Sequence, residues 1–194
     1  MIFKVKFSNH YVEKLSTILI HIRVQLYVKR RMTMETLMAP WRYSYIKSTK
    51  KGGAKCIFCE FPADGDDDKK HFIVYRGKTC FVILNTYPYS SGHLMVIPYR
   101  HTTDLSSFTS EEALEFHDLI ARSLECLKAA FNPDGFNIGI NVGAAAGAGI
   151  DTHIHCHIVP RWNGDSNFMG AIGDTKVVPI SLEETWERCK TYWK

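Results

Sequence analysis

His153-Ile154-His155-Cys156-His157-Ile158-Val159-Pro160 decides how this chain is read. Side chains of an extended segment alternate between two faces, so His153, His155 and His157 share one and Ile154, Cys156 and Ile158 share the other. The second face is apolar and suits a core. The first carries imidazoles whose polar nitrogens all need partners, which is no packing solution for a buried strand. Such a row either binds a metal, as three-histidine zinc sites do, or acts on phosphate. Imidazole is largely unprotonated near neutrality and is a competent nucleophile. The loop just before the row, Gly143–Gly149 (GAAAGAG), favours phosphate, because a stretch almost without side chains lets backbone N–H groups approach an anion.

Working outward, Phe136–Val142 and Thr152–Val159 read as strands flanking the Gly143–Ile150 loop. Upstream lies the clearest helix. Thr109 with Glu112 makes a capping box, and Ala113, Phe116, Ile120, Leu124, Leu127 and Phe131 recur at helical spacing until Asn132-Pro133-Asp134-Gly135 stops them. Phe72–Tyr75 and Thr79–Leu84 form a hairpin across Arg76-Gly77-Lys78, and His93–Ile97 is a further apolar run ended by Pro98. Strands, a helix and then strands predict an α+β domain on an antiparallel sheet, without internal repeats. Asp64–Lys70 (DGDDDKK) reads as a solvated surface turn and Thr49–Lys55 as a Lys/Gly linker. Trp41, Tyr43 and Tyr45 within Ala39–Ser48 offer aromatic anchors for a core or a partner subunit.

The chain has 194 residues, 45% hydrophobic and 23% charged, with a net charge of +4. That length fits one main domain able to bury a core without staples, and the mild positive balance suits a small anionic substrate more than nucleic acid. Ser16–Val28 is interrupted by His21, Arg23 and Gln25, too short and polar for a membrane span, and no small-residue cleavage site follows it. Residues 1–33 read as an N-terminal extension that need not belong to the fold, and residues 34–194 as the domain, with Met32 and Met34 as alternative starts. Of six cysteines only Cys56 and Cys59 form a motif; Cys80, Cys126 and Cys156 sit in apolar contexts. No disulfide framework is visible, and a reducing, cytoplasmic setting is expected. Cys56-Ile57-Phe58-Cys59 has the spacing of a zinc half-site or of a redox pair. A redox pair belongs at a helix start, and no helix is predicted there.

HIHCHIVP resembles the signature of the histidine triad (HIT) superfamily, and Asn85–Pro98 (NTYPYSSGHLMVIP) resembles its second conserved segment. Arg161–Met169 (RWNGDSNFM), with APWRYSYI and the CxxC, is similar to a microbial branch of diadenosine tetraphosphate phosphorylases and related hydrolases; the likeness runs from about Met34 to the C-terminus. The resemblance implies a HIT-like antiparallel sheet with one long helix, a short C-terminal helix and a homodimer. It implies that His155 is the nucleophile attacking the α-phosphorus, that His157 binds the transferred phosphate or leaving oxygen, and that His93 lies near the α-phosphate. Asn85 would contact the ribose, although it also reads as a turn residue before Pro88, and Gly147, Ala148 and Gly149 would lie along the phosphates. His101 and His153 would close a structural Zn²⁺ site with Cys56 and Cys59; no organic cofactor is implied. Many relatives carry Gln and Ser or Thr just before the triad, where this chain has Gly149, Ile150, Asp151 and Thr152, so phosphate contacts should come mostly from backbone. The expected activity is nucleotidyl transfer from an adenine dinucleoside polyphosphate through a nucleotidyl-histidine, with phosphate slightly favoured over water as acceptor. The alternatives are hydrolysis of adenylate conjugates such as nucleoside phosphoramidates, a metalloenzyme whose three histidines hold catalytic zinc, and a non-catalytic nucleotide-binding module.

Overall fold

The computed structural model describes residues 56–165 and 177–194. The readings of the N-terminal extension, the aromatic segment, the Lys/Gly linker and the Ser166–Met169 end of the RWNGDSNFM stretch lie outside these residues. In chain order the elements are α1 (Ile57–Ala63), α2 (Asp68–His71), β1 (Ile73–Arg76), β2 (Cys80–Leu84), β3 (Leu94–Pro98), α3 (Ser110–Phe131), β4 (Gly135–Ile140), β5 (Cys156–Arg161) and α4 (Leu182–Tyr192). The strands form one sheet in the order β1-β2-β3-β5-β4, every neighbouring pair antiparallel. The α+β architecture expected from the sequence, one long helix and a short C-terminal helix on an antiparallel sheet, is the one observed.

Strand alternation sorts the core into two layers. Cys80, Val82, Leu84, Leu94, Val96, Cys156 and Ile158 face the long helix, where Phe116, Leu119 and Leu127 meet them. Phe81, Ile83, Met95 and Ile97 face the opposite side and pack on Phe58 of α1. The long helix begins at the foreseen capping box: the Thr109 side chain accepts from the Glu112 N–H, and the Glu112 carboxylate accepts from the Thr109 N–H. It ends with Asn132 in the left-handed conformation, its N–H donating to the Lys128 carbonyl. The C-terminal helix is anchored by Trp186, whose indole N–H donates to the Ile73 carbonyl at 2.8 Å.

Three local expectations need correction. Asp64–Lys70 is not only a surface turn, because α2 forms within it: Asp67 caps the helix and Asp68 pairs with Arg76 at 2.7 Å. The Cys56–Cys59 motif does stand at a helix start, with Cys56 as the N-cap of α1. Finally, the last strand begins at Cys156 rather than Thr152. The Ile154 N–H donates to the Thr102 carbonyl at 2.7 Å, while the Pro98 carbonyl is taken by the His153 ring at 2.9 Å. The chain therefore leaves the ladder ahead of Cys156, and His153 parts company with the other two histidines.

Candidate active site

The three histidines have three environments. His153 is buried, and its Nε2 donates to the Pro98 carbonyl, leaving the lone pair on Nδ1. That Nδ1 lies 3.3 Å from Cys56 Sγ and 3.6 Å from Cys59 Sγ, while His101 Nδ1 lies 3.3 Å from Cys59 Sγ. One donor atom from each of Cys56, Cys59, His101 and His153 falls within 4.8 Å of the others. Two soft thiolates and two imidazoles at this spacing suit a closed tetrahedral zinc site, and the carbonyl-fixed His153 tautomer is the usual outer-shell arrangement of a ligating histidine. Burial pushes His153 down to about 4, so it is neutral and able to ligate near neutral pH. The helix at the motif revives the redox reading, but the two imidazoles converging on the thiols favour metal. Burial and the neighbouring Cys56 push the Cys59 thiol up, opposite to the activated thiol of a redox pair. Both ring nitrogens of His153 are thus engaged here, with Pro98 and with the cysteines, and are turned away from His155 and His157.

His155 is buried, and its Nδ1 donates to the carbonyl of His153 at 2.8 Å. Its lone pair therefore sits on Nε2. Burial pushes its protonation down, keeping that lone pair available near neutral pH. The His157 ring lies 4.8 Å away, nearly perpendicular.

His93 is buried just before β3 and anchors the next link. Its Nδ1 accepts from the Tyr89 N–H at 3.1 Å, which places its proton on Nε2. Nε2 is 3.0 Å from His157 Nδ1 and donates to it, so the His157 proton is held on Nε2. Gly92 makes this placement possible: its φ is +77°, and a Cβ there would come within 3.0 Å of Leu127.

Of these histidines His157 lines the adjoining open cleft, together with Ile57, Phe58, Phe61, Asn85 and Ile150 among others. Gly149 lines it too, whereas Gly147, in the left-handed conformation, and the buried Ala148 are set back from it. Asp151 is exposed. Asn85 serves both of its readings: Oδ1 accepts from the Tyr87 N–H in a turn, while the residue lines the cleft and its Nδ2 lies 3.4 Å from His93 Nδ1.

Sequence reasoning passed over Phe58, Tyr89 and Gly139. Phe58 lies inside the CxxC, and its ring packs on both His153 and His155, at 5.7 and 5.1 Å. Tyr89 packs on His93 and His157, at 4.6 and 5.8 Å. Gly139 stands opposite His157 in the β4–β5 ladder and leaves the space beside that ring open. The alternation Asn137-x-Gly139-x-Asn141 was the available signal for that strip.

The HIT domain family model matches residues 67–164. An AP-4-A phosphorylase of Mycobacterium tuberculosis is 36% identical over 173 residues, covering 86% of this chain and 88% of that protein. An uncharacterized HIT-like protein of Methanocaldococcus jannaschii is 31% identical over 135 residues, covering 70% of this chain and 98% of its own. Among solved structures, a zinc-bound histidine triad family protein from Mycobacterium smegmatis superposes with a TM-score of 0.58 at 28% identity, covering 72% of this chain and 93% of that one. A hypothetical histidine triad nucleotide-binding protein from Sulfolobus tokodaii, 24% identical, shares the fold with a TM-score of 0.56 over 71% of this chain and 91% of its own.

Proposed function

Since this chain belongs to the HIT domain family, we propose that it is a nucleotidyl transferase of dinucleoside polyphosphates, acting on a substrate such as diadenosine tetraphosphate with inorganic phosphate as the acceptor. The observation that carries the reading is the pair of fixed tautomers: His155 presents a lone pair on Nε2 while His157 presents a proton on Nε2. Nucleophile and proton donor are thus set before substrate arrives, which is what in-line displacement at phosphorus asks of a protein. In the first step His155 Nε2 attacks the α-phosphorus, a P–N bond forms, and the P–O anhydride bond breaks as the nucleoside polyphosphate leaves. His157 stabilises the charge on the departing or bridging oxygen. In the second step an oxygen of inorganic phosphate attacks the same phosphorus, the P–N bond breaks, and the imidazole is restored. Diadenosine tetraphosphate and phosphate would give ATP and ADP.

The 36% identity to an AP-4-A phosphorylase supports this substrate, and Gly149 supports phosphate as acceptor by leaving side-chain-free space in the cleft. Water remains the competing acceptor and would yield AMP and ATP. The Asn85 amide would reach the ribose, and the Gly147–Gly149 backbone would follow the phosphates. A zinc ion held by Cys56, Cys59, His101 and His153 would act as a structural clamp on that corner of the fold. A reducing compartment such as the cytoplasm suits the free thiols of this set.

The test is chromatographic turnover of diadenosine tetraphosphate with and without inorganic phosphate, alongside His155→Ala. The reading expects ADP only when phosphate is present, and no product from the variant. AMP and ATP regardless of phosphate would make the protein a hydrolase. Turnover retained by His155→Ala would sink the covalent mechanism.

A further inference from the structure

We propose that Phe58 is a positioning residue through which the Cys/His cluster sets the nucleophile and one wall of the nucleotide cleft. The inference rests on the nucleotide reading of that cleft, and its starting point is the first turn of α1. Cys56 caps this helix, its carbonyl accepting from the N–H groups of Cys59 and Glu60 at 3.0 Å each. Both thiols of the cluster therefore sit on one helical turn, and ligating them fixes that turn in place and rotation. Phe58 stands between the two cysteines and is 2% exposed.

The Phe58 ring has two histidine neighbours. On one side lies the metal-facing His153, nearly perpendicular at 5.7 Å, and on the other the nucleophile His155, tilted at 5.1 Å. The backbone adds a second tie in the same direction, because the His155 Nδ1 proton is held by the carbonyl of His153. A rotation of α1 would thus release the ring that packs on His155. It would also move the peptide that fixes the His155 tautomer. The same rotation would carry Ile57 and Phe61, which line the cleft beside Phe58. The far end of α1 has ties of its own, since the Pro62 carbonyl accepts from Arg76 Nη1 at 2.7 Å and Phe61 stacks on His71 at 4.3 Å, whereas at the cluster end Phe58 is the single fully buried side chain of the seven-residue helix. A helix this short has little stability of its own, so the placement of its first turn, where Phe58 stands, depends on what that turn is tied to.

Two consequences follow. Nucleotide affinity should track occupancy of the cluster, although no cluster atom need touch the nucleotide. Phe58 should transmit the effect, so truncating it should uncouple the cleft from a cluster that still holds metal. The expected loss is about tenfold, the lower end of the range for removing groups that orient a functional shell.

The experiment uses the full chain in four forms: zinc-loaded, zinc-stripped, zinc-loaded Phe58→Ala and zinc-loaded Phe58→Leu. Zinc content is measured by elemental analysis, AMP affinity by calorimetry, and the His155 tautomer by long-range proton–nitrogen NMR of the imidazoles. Far-ultraviolet circular dichroism confirms that each form is folded; Phe58→Leu keeps the core filled should the alanine variant not fold. Stripping zinc should weaken AMP about tenfold and convert the single His155 Nδ1–H signal to tautomer averaging. Phe58→Ala should do both with zinc still bound, and Phe58→Leu should fall between. Equal AMP affinity with and without zinc overturns the coupling while leaving the nucleotide reading intact. Loss of affinity on stripping with wild-type behaviour in both Phe58 variants overturns the role of Phe58. Failure of the loaded wild-type chain to bind AMP overturns the nucleotide reading, and this inference with it.

Discussion

At the scale of single residues, hydrogen bonds to backbone do the chemical work of assigning protons. The His155 Nδ1–H donates to a carbonyl, and His93 Nδ1 accepts from the Tyr89 N–H. One ring keeps its lone pair on Nε2, and the other turns its own Nε2–H toward His157. Two predictions belong here. Because burial lowers the protonation of His155, its reactive form persists on the acid side of the ordinary histidine value of 6.5. The acid limb of kcat/KM should therefore lie below pH 6.5, and a pH–rate profile with its acid limb above that value would refute the assignment. His93→Ala removes the donor that sets the His157 tautomer without touching His155. It should lower kcat by roughly ten- to a hundredfold, the range for groups that orient a catalytic one. If kcat is unchanged and only KM rises, His93 is a substrate contact instead. The row of histidines was plain in the sequence; a division of labour within it came from the family resemblance and not from the spacing. Period-two spacing gives each ring the same face but says nothing about which carbonyl each ring nitrogen meets, and those carbonyls come from residues as far away as Pro98.

At the scale of elements, legibility followed the range of the interactions. The long helix could be read because its signals are local: a capping box closes within four residues, and the apolar stripe repeats every turn. The short helix at Cys56 could not, because seven residues with an internal proline carry little propensity and depend on tertiary ties. The capping box also reaches the site. Glu112 accepts from Arg100 Nε and Nη2 at 2.8 and 2.7 Å as well as from Thr109, and Arg100 precedes His101 of the Cys/His cluster. The Arg100 guanidinium and the Thr109 N–H hold the Glu112 carboxyl down at about 2, from an ordinary 4.5. A depressed carboxylate contributes stability that is full above its ordinary value and is lost as pH falls through the folded one. Glu112→Gln keeps the capping box, which Gln also completes, but loses the ion pair with Arg100, and should therefore melt below wild type at pH 7 by an amount on the order of 0.5 kcal/mol. The gap between the two melting temperatures should close between pH 4.5 and 2. A gap that stays constant over that window would mean the ion pair contributes nothing.

At the scale of the whole molecule, the sheet is well covered on its long-helix face but exposed at one edge. β4 is the terminal strand, and its residues run from half-buried to exposed; Ile138 is 48% exposed and Val142, just beyond, 60%. A strand edge of this kind invites pairing with another strand, and a two-fold axis lets the same strand of a second copy serve as partner. The expected homodimer would therefore join the two sheets edge to edge through β4. The aromatic segment that first suggested a partner lies outside the described residues, so the exposed edge is a different argument for the same assembly. It would bear on the proposed chemistry because β4 carries Gly139 directly opposite His157, so such a seam would lie within one strand spacing of that ring. Placing a carboxylate at the apolar centre of the edge with Ile138→Asp should convert dimer to monomer in light scattering coupled to size exclusion. Turnover should fall with the change of mass, since β4 would lose the partner that holds it against β5. A wild-type chain that elutes at its own 22.2 kDa would end the edge-pairing argument. A monomeric Ile138→Asp that turns over at the wild-type rate would instead show that β5 alone positions His157, and would restrict the seam to a role in stability.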